Sequence, residues 1–328
     1  MTSITHEQSL DQFYKQIDWA LANYKSHGLN ASDFNHVVIG GLGGSGIGGR
    51  IARLVVSGSL TLPVEVYSEY TLPAYCNEKT LVILCSYSGN TEETLAMFNQ
   101  AAGAGCRIVC LASGGKVAEL AKQFGLPFYP VETGYQPRMA LGYSLTTLLM
   151  FLGELSGYDY RAALESVSAE LKNNQTMKEE AKRITEQFKG YEKDKFVVVC
   201  DSVMEAVAVR FCQQVQENAK GEAFVTVLPE ANHNVIESYY GKHDTNFILL
   251  NSGQNSRINH RFEFLTGLLN SHGNRCYAFE KEPYTLGKIF RVIHILDWVS
   301  IYLSNIKGED NMFVNNIARL KTYLDGVK

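Results

Sequence analysis

The sequence predicts an α/β protein of two doubly wound halves with mostly parallel sheets, followed by C-terminal helices. Three observations predict it. Short apolar runs alternate with helical periods, the strand rhythm stops in a charged helical stretch and then restarts, and a glycine-rich loop joins the first run to a helix. Parallel strands covered on both faces read as continuous apolar runs with crossover helices between them. The length, 328 residues, fits two domains at roughly 150 residues each.

Residues 10–24 read as an amphipathic helix outside the first sheet. Strands follow at 37–39, 64–66, 81–84, 108–111 and 127–129, most of them separated by helical segments. A Leu/Met-rich helix begins after Gly142, and the charged stretch at 164–191 reads as a solvated helix face. The strands resume at 196–199, 224–227 and 247–250, with a further candidate at 276–279. Two helices, 286–306 and 312–324, end the chain. The expected division is 1–155 and 156–328, and no short-period repeat relates the halves.

Hydrophobic residues make up 45% of the chain and charged residues 20%, which excludes wholesale disorder. A net charge of −4 lacks the basic footprint of a nucleic-acid binder. Seven scattered cysteines without a CxxC pair read as reduced thiols. The N-terminus shows no export signal. Apolar stretches such as 148–152 fall short of the roughly 20 residues of a spanning helix. The expectation is a cytoplasmic protein with neither nucleic-acid nor membrane partners.

Residues 40–49 hold seven glycines in ten positions between a strand and a helix. Glycine lets backbone N–H groups approach an anion at a helix N-terminus. Gly41, Gly43 and Gly46 satisfy GxGxxG, so a dinucleotide site is one alternative, with Glu65 or Glu69 near the ribose position. No Gly-Lys-Ser/Thr follows, which excludes a Walker loop. A second loop, Ser86-Tyr87-Ser88-Gly89-Asn90-Thr91-Glu92-Glu93-Thr94, also joins a strand to a helix. Asn90 with Glu93 reads as a capping pair, which leaves Ser86, Ser88 and Thr91 unexplained. Three hydroxyls at a helix N-terminus, with neither Lys nor a metal motif, suit a monophosphate ester.

These loops resemble the sugar isomerase (SIS) domain. Residues 137–143 (PRMALGY), 217–220 (ENAK) and 229–234 (PEANHN) are further similar to the bifunctional phosphoglucose/phosphomannose isomerase family. The resemblance covers nearly the whole chain, in order. It implies a homodimeric, metal-independent aldose–ketose isomerase that interconverts glucose, mannose and fructose 6-phosphates through a cis-enediolate and needs no cofactor. Gly44, Ser45, Ser86, Ser88 and Thr91 would then hold the phosphate.

Such chemistry needs a carboxylate base, a cation beside the developing oxyanion, and groups that open the sugar ring. Glu217 lies near the end of a helix, where an exposed anion costs about 0.3–1 kcal/mol against the helix dipole. Residue reading alone favours a solvated acid paired with Lys220, whereas the resemblance makes Glu217 the base. Arg138 follows Pro137 at an expected helix start, and the resemblance assigns it the enediolate. His233, one of eight histidines, is implied as a ring-opening group supplied across the dimer interface, with His243 a weaker candidate. Lys321 matches a second ring-opening group. Its surroundings depart from the family's pattern, because 310–313 is DNMF instead of a proline-containing turn. No HxH, HExxH or cysteine pair marks a metal site. Alternatives are a non-catalytic sugar-phosphate sensor, a phosphoglucose isomerase without mannose activity, and a Rossmann dehydrogenase.

Overall fold

The computed structural model describes residues 4–281 and 284–327. The chain forms two compact units: one of residues 1–4, 8–174 and 285–290, the other of 5–7, 175–284 and 291–328.

The first unit has five parallel strands in the order β2-β1-β3-β4-β5. They are β1 (His36–Gly40), β2 (Val64–Tyr67), β3 (Thr80–Ser86), β4 (Arg107–Ala112) and β5 (Phe128–Pro130). Alternate residues of a strand face opposite sides. Val38, Val82, Leu84, Ile108 and Cys110 pack with Met97 and Phe98 of α4 (Glu92–Gly103) and Val117 of α5 (Gly115–Gln123). Ile39 faces the other way, against α3 (Gly43–Val56), at a spacing that leaves no room for a Cβ on Gly49. α6 (Leu141–Ser156) lies on α3, α2 (Phe13–Asn23) on α6, and α7 (Arg161–Lys172) on α2.

Two expectations change here. The single helix at 10–24 is two, α1 (His6–Asp11) and α2, interrupted at Gln12. The division expected after residue 155 falls after Asn174. Leu164, Val167 and Leu171 bury one face of α7, and Ser168 Oγ donates to Asp18 Oδ1 of α2 at 2.5 Å, so α7 completes the first unit.

The second unit has four parallel strands in the order β7-β6-β8-β9. They are β6 (Lys195–Asp201), β7 (Ala223–Leu228), β8 (Thr245–Leu250) and β9 (Arg275–Ala278). Val199, Phe247 and Leu249 pack with Phe262, Leu265 and Leu269 of α10 (Ser256–Ser271). On the opposite face Phe196 meets Phe211 of α9 (Glu205–Asn218) edge-on, and Phe188 follows α8 (Gln175–Gln187) into the same cluster.

Two helices end the chain, α11 (Leu286–Lys307) and α12 (Asn315–Asp325). The expected shortage of long apolar segments does not hold for α11, which is long and apolar enough to cross a membrane by length and composition. Its most apolar 18-residue window is 78% buried within the fold. Asp297 inside it forms a buried ion pair with Arg210 of α9, Oδ2 to Nη2 2.6 Å. Burial pushes the Asp297 carboxyl up, and the Arg210 guanidinium opposes that shift. All seven cysteines are free thiols.

Candidate active site

In the first unit the strand order reverses between β1 and β3, and the loops leaving those two strands meet at their carboxyl ends. This is the crevice where open parallel sheets bind ligands. Gly44, Ser45, Ser86 and Tyr87 line a pocket there with Pro137, Ala140 and Ser144. Two helices begin at it. α3 starts after Leu42 and α4 after Thr91, both without a side-chain cap. The first-turn amides of an uncapped helix are free to bind an anion.

Asn90 does not cap α4, contrary to the expected capping pair. Its Oδ1 accepts Lys116 N–H at 2.9 Å, which holds the start of α5 instead. The hydroxyls are ordered before any ligand arrives. Ser45 Oγ accepts Tyr87 N–H at 2.9 Å, and Ser86 Oγ lies 2.9 Å from Thr91 Oγ1 while accepting Gly89 N–H at 3.1 Å. Ser86 is buried and Thr91 half-buried. Ser88 is exposed, and its Oγ accepts Asn90 N–H at 3.2 Å, so it sits at the rim.

Of the glycines in the first loop, Gly43 alone needs a positive φ, 50°. Close approach explains Gly44, where a Cβ would stand 2.5 Å from Pro137 C and 2.7 Å from Arg138 N. The absence of a side chain therefore lets the Arg138 segment close against the loop. Arg138 is only 4% exposed and lies in a 3-10 turn, Pro137–Met139, that begins at Pro137 and leads into α6. Buried Gln16 of α2 fixes the turn from behind. Its Nε2 donates to Met139 O at 2.8 Å, and its Oε1 accepts Gly142 N–H at 3.0 Å.

Sequence reading missed Gln16, although a polar residue between Phe13, Ile17 and Ala20 on an apolar face was its signal. It also missed a tyrosine cluster beside the pocket. Tyr87 Oη donates to Glu132 O at 3.0 Å and accepts Tyr135 N–H at 2.8 Å, while Tyr143 Oη donates to the Glu132 carboxylate at 2.5 Å. Burial, then the Glu132 contact, pushes the Tyr143 phenol up, so it remains a donor.

In the second unit Glu217 is half-buried in the last turn of α9. Lys220, at φ 50°, turns its ammonium onto the end of that helix. Its Nζ donates to Glu217 O at 2.5 Å and to Asp310 O at 2.9 Å, which ties the segment preceding α12 to the Glu217 turn. A cation at a helix C-terminus offsets the dipole. His233 is exposed and ends a 3-10 turn, Glu230–His233, just beyond β7. Lys321 is exposed on α12, a helix none of whose residues is buried. Thus the first unit gathers Gly44, Ser45, Ser86, Thr91 and the Arg138 segment. The second presents Glu217 on a helix end, His233 past a strand end and Lys321 on an unpacked helix. Among the described residues no group of three or more His, Cys, Asp or Glu side chains could hold a metal ion.

Residues 177–324 match the family model of the bacterial phospho-glucose isomerase C-terminal SIS domain. A bifunctional phosphoglucose/phosphomannose isomerase of Aquifex aeolicus is 32% identical, covering 96% of this chain and 97% of that one. A D-glucosamine-6-phosphate 4-epimerase of Sulfolobus acidocaldarius is 38% identical over a shorter stretch, 63% of this chain and 65% of its own. The fold is similar to that of a glucosamine-6-phosphate deaminase structure from Thermotoga maritima, with a TM-score of 0.71 and 15% identity over 92% of this chain and 96% of that one. The end-to-end match to the Aquifex protein settles which of these relationships defines the chain, and it belongs to the bifunctional phosphoglucose/phosphomannose isomerase family.

Proposed function

We propose that the chain is a metal-independent isomerase of glucose 6-phosphate, mannose 6-phosphate and fructose 6-phosphate. The observation that carries this reading is the pair of uncapped helix starts at the β1/β3 crevice, with Ser45 and Ser86 between them and buried Arg138 closing against Gly44. Such a crevice binds a phosphate monoester through neutral donors and helix ends. Ser45, Ser86, Thr91 and, at the rim, Ser88 hold the phosphate. Glu217 takes the proton from C2 of the aldose and returns it to C1. Arg138 stabilises the cis-enediolate, because a guanidinium is a permanent cation with a planar fork of N–H donors. His233 and Lys321 serve ring opening. The two aldoses differ only at C2 and share one enediolate, so protonation of C2 from either face gives both.

The active form in this reading is a cytoplasmic homodimer in which His233 acts across the interface. Two features support association of copies. His233 is exposed, and α12 carries an uncovered apolar stripe that includes Leu320 and Tyr323, 56% and 69% exposed. Stripes of that kind mark contact surfaces.

The test adds fructose 6-phosphate to EDTA-treated protein and follows both aldose phosphates. Glucose and mannose 6-phosphates together are the expected result. Glucose 6-phosphate alone would restrict the assignment to phosphoglucose isomerase. Neither product, with fructose 6-phosphate bound, would leave a sugar-phosphate sensor. Turnover of glucosamine 6-phosphate alone would favour the chemistry named for the Sulfolobus relative.

A further inference from the structure

The second unit repeats the strand arrangement of the first, with the order reversing between β6 and β8. Gly40 pairs with Leu84 in one ladder and Cys200 with Leu250 in the other, so the loops can be compared position by position. Ser86 and Ser252 each lie two residues past the ladder pair. Gly41 and Asp201 each lie one past it, and Ser45 and Glu205 five past it. At Gly41 the first unit has no room for a side chain, since a Cβ would meet Cys85 O at 2.9 Å. At the same position the second unit places a carboxylate across the crevice. Asp201 Oδ2 accepts both Ser252 N–H at 3.1 Å and Ser252 Oγ–H at 2.5 Å.

The other donors of that loop are also occupied from within. Gly253 N–H donates to Asn251 Oδ1 at 3.0 Å and Gln254 N–H to Ser252 Oγ at 3.3 Å. Asp201 is 6% exposed, and its second oxygen, Oδ1, is buried without a hydrogen-bond partner. A buried, half-satisfied carboxylate where a phosphate would lie is an unfavourable neighbour for any second anion. Glu205, where the first unit has Ser45, adds another negative group.

We propose that Asp201 is a built-in occupant of the second unit's anion position and, with Glu205, restricts the chain to one phosphate ester. This inference rests on the phosphate assignment of the first unit, and its test separates the two. Radiolabelled inorganic phosphate is titrated by equilibrium dialysis against the full-length protein and its variants. Wild type is expected to bind one equivalent per chain, and S86A/T91A none. D201G/E205S, which installs the first unit's glycine and serine, is expected to bind two, and one when combined with S86A/T91A. Should D201G/E205S fail to fold, D201S/E205S replaces it with the same expected stoichiometry. A folded variant that gains no equivalent overturns the proposal, as does a wild type that binds two. A wild type that binds none, with D201G/E205S binding one, overturns the first-unit assignment and supports the Asp201 proposal.

Discussion

The junctions β3–α4 and β8–α10 share a topology and differ in how their helices begin. α4 starts behind Thr91 with no side chain on its amides, whereas the Oδ1 of Asn255 accepts Arg257 N–H at 2.9 Å and Ile258 N–H at 3.3 Å at the start of α10. A helix whose first amides are satisfied by its own chain is more stable and offers a ligand fewer donors. One left open gives up that stabilisation in exchange for a binding site. A strand–turn–helix pattern alone therefore does not locate an anion site. The groups already in place decide it, the cap at the helix start and the side chain at the strand end.

Four measurements follow, the largest effect first. Removing the proposed base should separate the roles most sharply. Glu217→Gln is expected to lower turnover by about 10²–10⁴-fold while phosphate-ester affinity stays within a factor of two or so. Near-wild-type turnover would remove Glu217 from the mechanism. For stability, Asp297→Ala takes the carboxylate away from the buried Arg210 guanidinium, and urea unfolding should show a loss of about 3–5 kcal/mol. The junctions themselves are compared by Asn255→Ala and Thr91→Ala. The first should cost about 1 kcal/mol of stability, the usual worth of an N-cap, and leave ligand affinity intact. The second should show the reverse. Equal stability losses would dissolve the contrast.

The smallest effect concerns pH. Burial pushes the Glu154 carboxyl up, but hydrogen bonds from Ser26, Tyr24 and Gly28 N–H outweigh it, so its pKa lies below the usual carboxylate range. A depressed carboxylate contributes stability above its unfolded pKa and loses it as pH falls through the folded one. The melting-temperature difference between wild type and Glu154→Gln should therefore be largest near pH 7 and vanish well below pH 4.5. A difference that does not change with pH would mean that Glu154 acts through shape alone.

Every strand among the described residues was legible: the central strands β1, β3, β4, β6 and β8 are mostly buried apolar runs, and the half-buried edge strands β2, β5, β7 and β9 fall in step with them. The ends of helices were less so. Asn90 follows local capping rules, yet its side chain serves Lys116, 26 residues away, through a contact that only the folded chain creates. The periodicity of α7 showed an apolar face without showing which sheet's layers it joins, and only the folded chain groups it with the first unit. Polar residues inside α11, among them Arg291, His294 and Asp297, hid a long apolar helix from a search for unbroken runs. The grouping of Ser86 and Thr91 hydroxyls at a helix start was readable from residue chemistry. A single acid, imidazole or amine on a helix or loop carries no local signature, so the roles proposed for Glu217, His233 and Lys321 rest on resemblance.

α11 carries a consequence for modularity. Its first turn, with Ile289 and Phe290 buried, belongs to the first unit, and Phe290 meets Phe13 edge-on at a centroid distance of 6.4 Å. The rest of the same helix supplies Asp297 to the second unit. Expressing residues 1–174 alone would strip Phe13 of its aromatic neighbour, and the complementary fragment would carry two large apolar side chains with no core to enter. Although the two sheets share one strand arrangement, a single helix, α11, contributes residues to both units. A gene split between them would yield fragments that need each other, as in a complementation pair, rather than two independent domains.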